Sequence, residues 1–323
     1  MIRRRALWQT AAACSLLPLS AVVRAQAGWP SQPIKLLIAF PAGGPTDITM
    51  RVLAENASRL LGQTVVVENR PGAGGTLPAQ QLQQSRPDGH TLAQVPLGVF
   101  RMPYTQKMSW DPLKDLSYII GVTGYAFGLV VPIDSPIKTW ADFVAYAKAN
   151  PGRLSYGSTG VLTSPHLTME DIAMRVGVEL NHIPFKGSAD LMQAILGGQI
   201  MAAADSTGFA PHVASGRLRV LNTWGAQRLP KFPDVPTLTE LGIPLVQASP
   251  YGIAGPRGMD PSLVQRIHDV FKQAMEQPSH VEVLARYDQA LMHMNPQQYL
   301  RFAEDTFRRE KALVERLGLA KPS

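Results

Sequence analysis

The chain has 323 residues, a formal charge of +7, one cysteine, and 27 each of glycine and proline. Charged residues are 17% of the chain, below the roughly 25% of ordinary soluble domains, so a turn-rich fold is expected rather than a highly charged surface. One cysteine excludes a disulfide framework, and no stretch after the N-terminus reaches the ~18 consecutive apolar residues of a membrane span.

Residues 1–27 read as a secretory signal peptide, with Arg3, Arg4 and Arg5, an apolar stretch, and the cleavage site Ala25-Gln26-Ala27. The Arg-Arg pair is a weak pointer to the twin-arginine route; the rest of that signal is missing and the general route is expected. Cys14 lies inside the apolar stretch, so it reads as a discarded small residue rather than a lipid anchor. Its loss rules out thiolate catalysis and cysteine metal sites. Four arginines leave with the leader and no acid does, so the charge falls from +7 to +3, too mild to imply nucleic acid. A soluble exported product of about two domains is expected for the remaining 296 residues.

The run Ile34–Ala39 reads as a buried parallel strand. It breaks at Ala42-Gly43-Gly44-Pro45 and enters a segment of helical periodicity (Ile48, Val52, Leu53, Ala57, Leu60). A strand, a glycine turn and a helix start aim free amides and a helix dipole at one point, which suits an anion. Further strands are expected at 63–68 and 91–95, with the turn Asn69–Thr76 and a helix to Gln84 between them. This alternation predicts a parallel sheet covered by helices on both faces.

A second set is expected at 129–131, 154–156, 180–184, 200–204 and 219–223, with helices at 139–149, 164–174 and 188–196. Thr139 with Asp142 forms a capping box, and Ser164-Pro165 an N-cap followed by proline. Beyond Gly255 only helices are expected, begun by Asp260-Pro261, by Ser279 with Glu282, and by Asn295-Pro296. The chain therefore crosses to a second domain and returns, near Gly124–Gly128 and Ser249–Gly252. Residues 28–126 and 250–323 form domain 1, and 127–249 domain 2. The sequence has no internal repeat.

Catalytic patterns fail on their second residue. Gly157-Ser158-Thr159-Gly160 lacks the nucleophile-elbow spacing, and Ser135-Pro136-Ile137-Lys138 has no downstream partner. Gly72-Ala73-Gly74-Gly75 begins a dinucleotide fingerprint but has Leu77 where the third glycine falls. The seven histidines show no metal-ligand spacing, and no metal or cofactor is expected. His166, at a helix start, faces either a ligand or its own loop; His90, His212, His268, His280 and His293 read as surface residues. The polar clusters at strand ends, Ser158, Thr159, Thr163 and Ser164, then Asp205, Ser206 and Thr207, lie where open α/β sheets bind ligands.

The segments Phe40–Asp47, Val67–Gly75, Pro87-Asp88-Gly89, Tyr156–Gly160, Thr163–Leu167, Pro184–Gly187 and Asp234–Thr237 closely resemble the Bug family, the extracytoplasmic solute receptors of tripartite tricarboxylate transporters. The resemblance implies a type II periplasmic-binding-protein fold, two doubly wound α/β domains around a hinged cleft. It also implies a small carboxylate ligand, membrane permease subunits as partners, a monomer, and no enzymatic activity. By position, Ala42, Gly43, Gly44, Thr46 and Asp47 supply one jaw, and Ser158, Thr159, Thr163, Ser164 and His166 the other. Asp205 falls where the family often carries an acid for a donor group of the ligand. Val161 and Leu162 depart from the small residues common there, and Pro96 and Leu97 also depart from the family's usual form; these apolar groups suggest a ligand with an apolar or aromatic body. A sensor-kinase partner would use the same cleft, and an exported hydrolase is opposed by the missing nucleophile–base pair.

Overall fold

The computed structural model describes residues 28–321, so the expected signal peptide lies outside the described residues. The elements, in order, are β1 (Ile34–Ile38), α1 (Pro45–Leu61), β2 (Val65–Asn69), a 3-10 turn (Ala73–Gly75), α2 (Leu77–Leu82), β3 (Thr91–Val95), α3 (Gly98–Thr105), β4 (Leu116–Tyr125), β5 (Phe127–Pro132) and α4 (Trp140–Ala149). There follow β6 (Ser155–Ser158), α5 (Ser164–Val176), β7 (Asn181–Pro184), α6 (Ser188–Leu196), β8 (Ala202–Ser206), α7 (Ala210–Ala214) and β9 (Leu218–Thr223). The chain closes with β10 (Ser249–Pro256), α8 (Pro261–Met275), α9 (Pro278–Arg286), β11 (Leu291–Met294) and α10 (Pro296–Arg316).

Two sheets result, ordered β11-β4-β10-β3-β1-β2 and β7-β6-β8-β5-β9. Apart from the added edge strand β11, both follow one plan: three parallel strands, then a strand that has crossed from the other half, then a last one. The repeat is topological and leaves no trace in the sequence. The sheets are mixed, which corrects the expectation of parallel ones: β10 is antiparallel to β3 and β4, and β5 to β8 and β9. The cause is the crossing itself. Only Ala126 separates β4 from β5, so the chain passes directly from one sheet into the other, where β5 inserts against the local strand direction.

In β1, Ile34, Leu36, Leu37 and Ile38 are all fully buried. Alternate side chains meet different layers, since Leu36 packs with Met50 and Leu53 of α1, and Leu37 with Phe100 of α3 and Tyr299 of α10. Each such burial contributes about 1.5–3 kcal/mol. Helix α1 ends at Gly62, whose φ of 63° supplies the left-handed cap. The halves share a core through the hinge, where Tyr251 stacks on Tyr125 at 4.5 Å and Phe127 on Trp224 at 5.8 Å.

Several local expectations need correction. Residues beyond Gly255 are not helices only: β10 runs to Pro256, and β11 follows α9 as an edge strand against β4. The cap of α5 is Thr163 rather than Ser164. Helix α9 starts at Pro278 behind Gln277, with no side-chain cap bond, so Ser279 and Glu282 form no capping box. The boxes at Thr139–Asp142 and Asn295–Gln298 are present, and Asp260 accepts from the Ser262 amide at 2.8 Å. His268 and His280 are buried rather than on the surface, His280 beneath α8 with Nδ1 3.0 Å from the Met275 carbonyl.

Candidate functional site

Four helices begin at one cleft between the sheets. The walls include Gly44, Pro45 and Thr46 at the start of α1, Leu97 and Gly98 at α3, Thr163, Ser164 and Pro165 at α5, and Gly187, Ser188 and Ala189 at α6. In each case a strand ends, the chain turns at glycine or proline, and a helix starts, which leaves first-turn amides such as those of Thr46, Ser164 and Ser188 without an intrahelical acceptor; at α3 the Val99 and Phe100 amides are taken by the Pro96 and Leu97 carbonyls, at 3.0 Å each. The space amounts to about 660 Å³, solvent at its mouth included. At Gly98 a β-carbon would stand 2.1 Å from the Gly74 carbonyl oxygen, so only glycine lets α3 start against that loop.

The floor is aromatic. Tyr125, at the end of β4, has its hydroxyl 2.7 Å from Thr46 Oγ1 and accepts from Gln94 Nε2 at 2.8 Å. Gln94 in turn accepts from the Ala39 amide at 3.0 Å. Phe40 packs edge-on to Tyr125, with ring centres 6.2 Å apart. Burial holds the Tyr125 hydroxyl well above its usual pKa, with the neighbouring Tyr251 adding to the shift, so it stays a neutral donor.

Behind α3 and α5 lies Arg101, 1% exposed. Its Nε donates to Glu310 Oε2 at 2.6 Å and its Nη1 to the Leu162 carbonyl at 2.6 Å, while Nη2 lies 3.5 Å from Ser164 Oγ. One guanidinium therefore joins α10 and α3 of the first half to the loop of the second.

Of the residues expected at the site, Gly44, Thr46, Pro96, Leu97, Thr159, Thr163, Ser164 and Ser206 line this cleft. Val161 lies in an adjoining outer compartment, walled by the turn Gly72–Gly75, Met102, Leu162, Phe185 and Lys186 and sharing Phe40, Gly74, Thr159 and Thr163 with the inner one. Ala42 and Gly43 are exposed beside it. Asp47 is turned inward: Oδ1 accepts from Arg51 Nε at 2.8 Å and Asn69 Nδ2 at 2.9 Å, and Oδ2 from the Gly43 amide at 3.0 Å. Burial alone would raise its carboxyl, but these bonds hold it below the usual carboxylate range. Its position braces the glycine turn.

His166 bonds its own loop, with Nδ1 accepting from the Leu162 amide at 3.2 Å, and stacks on His182 at 4.1 Å. Burial pushes both imidazoles down to about 4, helped at His166 by Arg101 and at His182 by His166. Ser158 Oγ donates to the Gly160 carbonyl at 3.1 Å and stands 2.7 Å from His182 Nε2, a Ser–His contact that the sequence reading did not foresee. Ser158 is fully buried outside the cleft lining. The pair therefore braces the loop, with no open face for a substrate. Thr207 Oγ1 donates to the Tyr287 carbonyl, across to the other half. Asp205, fully buried at the end of β8, accepts from Ser188 Oγ. Burial pushes its carboxyl up to about 7, against the pull of the Ser188 hydrogen bond.

Sequence reasoning missed Phe40, Tyr125, Arg101, Gly98, Ser188 and Asp190. A glycine before a helical run marked Gly187-Ser188, but Pro103 inside α3 hid the start at Gly98. Among the described residues no group of three or more His, Cys, Asp or Glu could hold a metal ion.

The sequence model of the family described as "Tripartite tricarboxylate transporter family receptor" matches residues 49–319. The "UPF0065 protein in gbd 5'region" of Cupriavidus necator is 57% identical over 313 residues, 96% of each chain. Among solved structures, periplasmic binding protein BugD superposes with a TM-score of 0.86 at 27% identity, over 91% of this chain and 100% of that one. A protein of R. palustris solved with adipate gives 0.85 at 26% identity, over 90% and 99%. The fold is thus that of the two-domain periplasmic binding proteins.

Proposed function

The chain belongs to the tripartite tricarboxylate transporter receptor family, whose members are binding receptors rather than enzymes, and on that premise we propose that it captures a small carboxylate-bearing metabolite in the periplasm and hands it to a permease of the tripartite type. The observation that carries the reading is the convergence of four helix starts on one cleft between the two sheets. Amide bonds to a carboxylate are charge-assisted, about 1.5–3 kcal/mol each, so three or four support micromolar binding, about −8 kcal/mol. The outer compartment, walled by Val161, Leu162, Met102 and Phe185, favours a ligand with an apolar or aromatic body. Residues 127–249 close on the remainder as a domain about the strands that meet at Ala126, expelling water and forming the surface that docks.

The test is calorimetric titration with a panel of carboxylic acids, alongside Thr159→Trp, which fills the junction of the two compartments. Saturable binding of an acid, lost in the variant while its circular dichroism is unchanged, supports the reading. Binding that persists in Thr159→Trp refutes the cleft. Uptake of the bound acid, lost on deleting the receptor and restored by its return, tests delivery to a permease.

A further inference from the structure

One residue of the ligand loop stands in a conformation that its type disfavours. Among the described residues three that are not glycine have a left-handed φ, Ala73, Leu162 and Asp288. Two of them, Ala73 at 47° and Leu162 at 60°, line the outer compartment. For a bulky residue such as leucine this is an outlier, because the β-carbon crowds the carbonyl oxygen that follows. The turn to which Leu162 belongs, Gly160–Thr163, carries Val161 and Thr163, and with Thr159 it forms the second half's wall against the two compartments. Such strain persists where the surroundings over-determine it. The Leu162 amide donates to His166 Nδ1 at 3.2 Å, and the Thr163 hydroxyl donates to the Gly160 carbonyl at 2.7 Å. Both bonds lie within the second half.

With that amide fixed, φ decides where the Leu162 carbonyl stands, and the carbonyl is held from the other half: Arg101 Nη1 donates to it at 2.6 Å. The guanidinium is not free to follow the loop. It is 1% exposed, and its Nε donates to Glu310 Oε2 at 2.6 Å. A charge-assisted bond from a fixed donor is among the stronger ones a carbonyl can accept. Arg101 itself lines neither compartment, so any action on a ligand passes through the loop. We propose that Arg101 is a positioning residue of the ligand site. From the opposite half it holds Leu162, and with it the Gly160–Thr163 turn, in the shape that meets the ligand, so the cost of the left-handed backbone falls on folding and not on binding. Without Arg101 the turn relaxes toward an ordinary φ and must be forced back whenever a ligand enters. The inference rests on the receptor reading above for the claim that this turn meets a ligand, and adds what holds the turn.

Glycine and alanine at position 162 provide the test, since both lack the leucine side chain and differ in their tolerance of a left-handed φ. Leu162→Gly and Leu162→Ala are made in the parent and in the Arg101→Met, Glu310→Leu background, which removes the guanidinium without stranding its counter-ion. Urea unfolding is the first readout. In the parent background the glycine variant should be the more stable, by roughly threefold or more in the unfolding equilibrium constant, and in the double background the order should reverse. The second readout is calorimetric titration with pentanoate, glutarate, adipate, benzoate and citrate. For an acid that binds, the glycine and alanine variants should have equal dissociation constants in the parent background. In the double background the glycine variant should bind it roughly tenfold more tightly. The same order of stability in both backgrounds, or equal affinity in the double background, overturns the inference, because Arg101 would then act on packing alone. Failure of every acid to bind overturns the receptor reading, and the unfolding order still decides the inference.

Discussion

Arg101 Nη1 donates to the Leu162 carbonyl at 2.6 Å, a hydrogen bond that runs from α3 of one half to the loop preceding α5 of the other. Glu310 of α10 neutralises the same guanidinium at 2.6 Å. The ligand loop of the second half is thus tied to a charge that belongs wholly to the first, and the tie is buried.

Removing the carboxylate alone strands that charge. Glu310→Ala should cost about 3–5 kcal/mol of unfolding free energy, read by guanidinium denaturation, because a buried guanidinium loses its counter-ion. The double variant Arg101→Met, Glu310→Leu should recover most of the loss. Equal destabilisation in the double variant would mean that the fold needs the pair for packing rather than for charge balance.

The Tyr125 hydroxyl bonds both Thr46 and Gln94, at 2.7 and 2.8 Å. Tyr125→Phe leaves those two buried polar groups short of a partner and should cost about 1–3 kcal/mol. Adding Thr46→Val should cost less than the sum of the single changes, since both act on one network. Strict additivity in the cycle would contradict the network.

Acid stability should show two opposed slopes. Folded Asp205 keeps its proton up to about 7, whereas an unfolded aspartate releases it near 3.9, so its contribution to stability is present below that unfolded value and is lost as pH rises toward 7. Folded His166 and His182 stay neutral down to about 4, whereas unfolded histidine protonates near 6.5, so their contribution is lost as pH falls from 6.5 through 4. Asp205→Asn removes the first slope and should make stability fall more steeply from pH 7 to pH 5 than in the parent. His182→Gln should flatten the same interval. Parallel pH profiles for parent and Asp205→Asn would show that the buried acid is already ionised.

Much of the fold was legible because strands buried on both faces, as at Leu36 and Leu37, leave unbroken apolar runs, and because proline and capping side chains mark helix starts such as Asp260-Pro261. The crossing strand β4 was harder to see. It alternates apolar residues with Ser117, Gly121, Thr123 and Gly124 and so resembles a loop. The first jaw was read as a turn at the cleft, which Gly44 and Thr46 do line, yet Asp47 was placed in the site because position alone cannot show that Arg51 and Asn69 hold it inward. Tyr125 and Arg101 escaped for a related reason. Their partners lie 79 and 209 residues away, at Thr46 and Glu310, a separation that periodicity cannot span.

The most direct test of the account is native mass spectrometry of the protein isolated from the periplasm without dialysis, followed by release and identification of whatever is bound. The account predicts one acid of low mass per chain, carrying a carboxylate, present in the parent and absent from Thr159→Trp. A bound species without a carboxylate, or the same acid retained by the blocked variant, would contradict it.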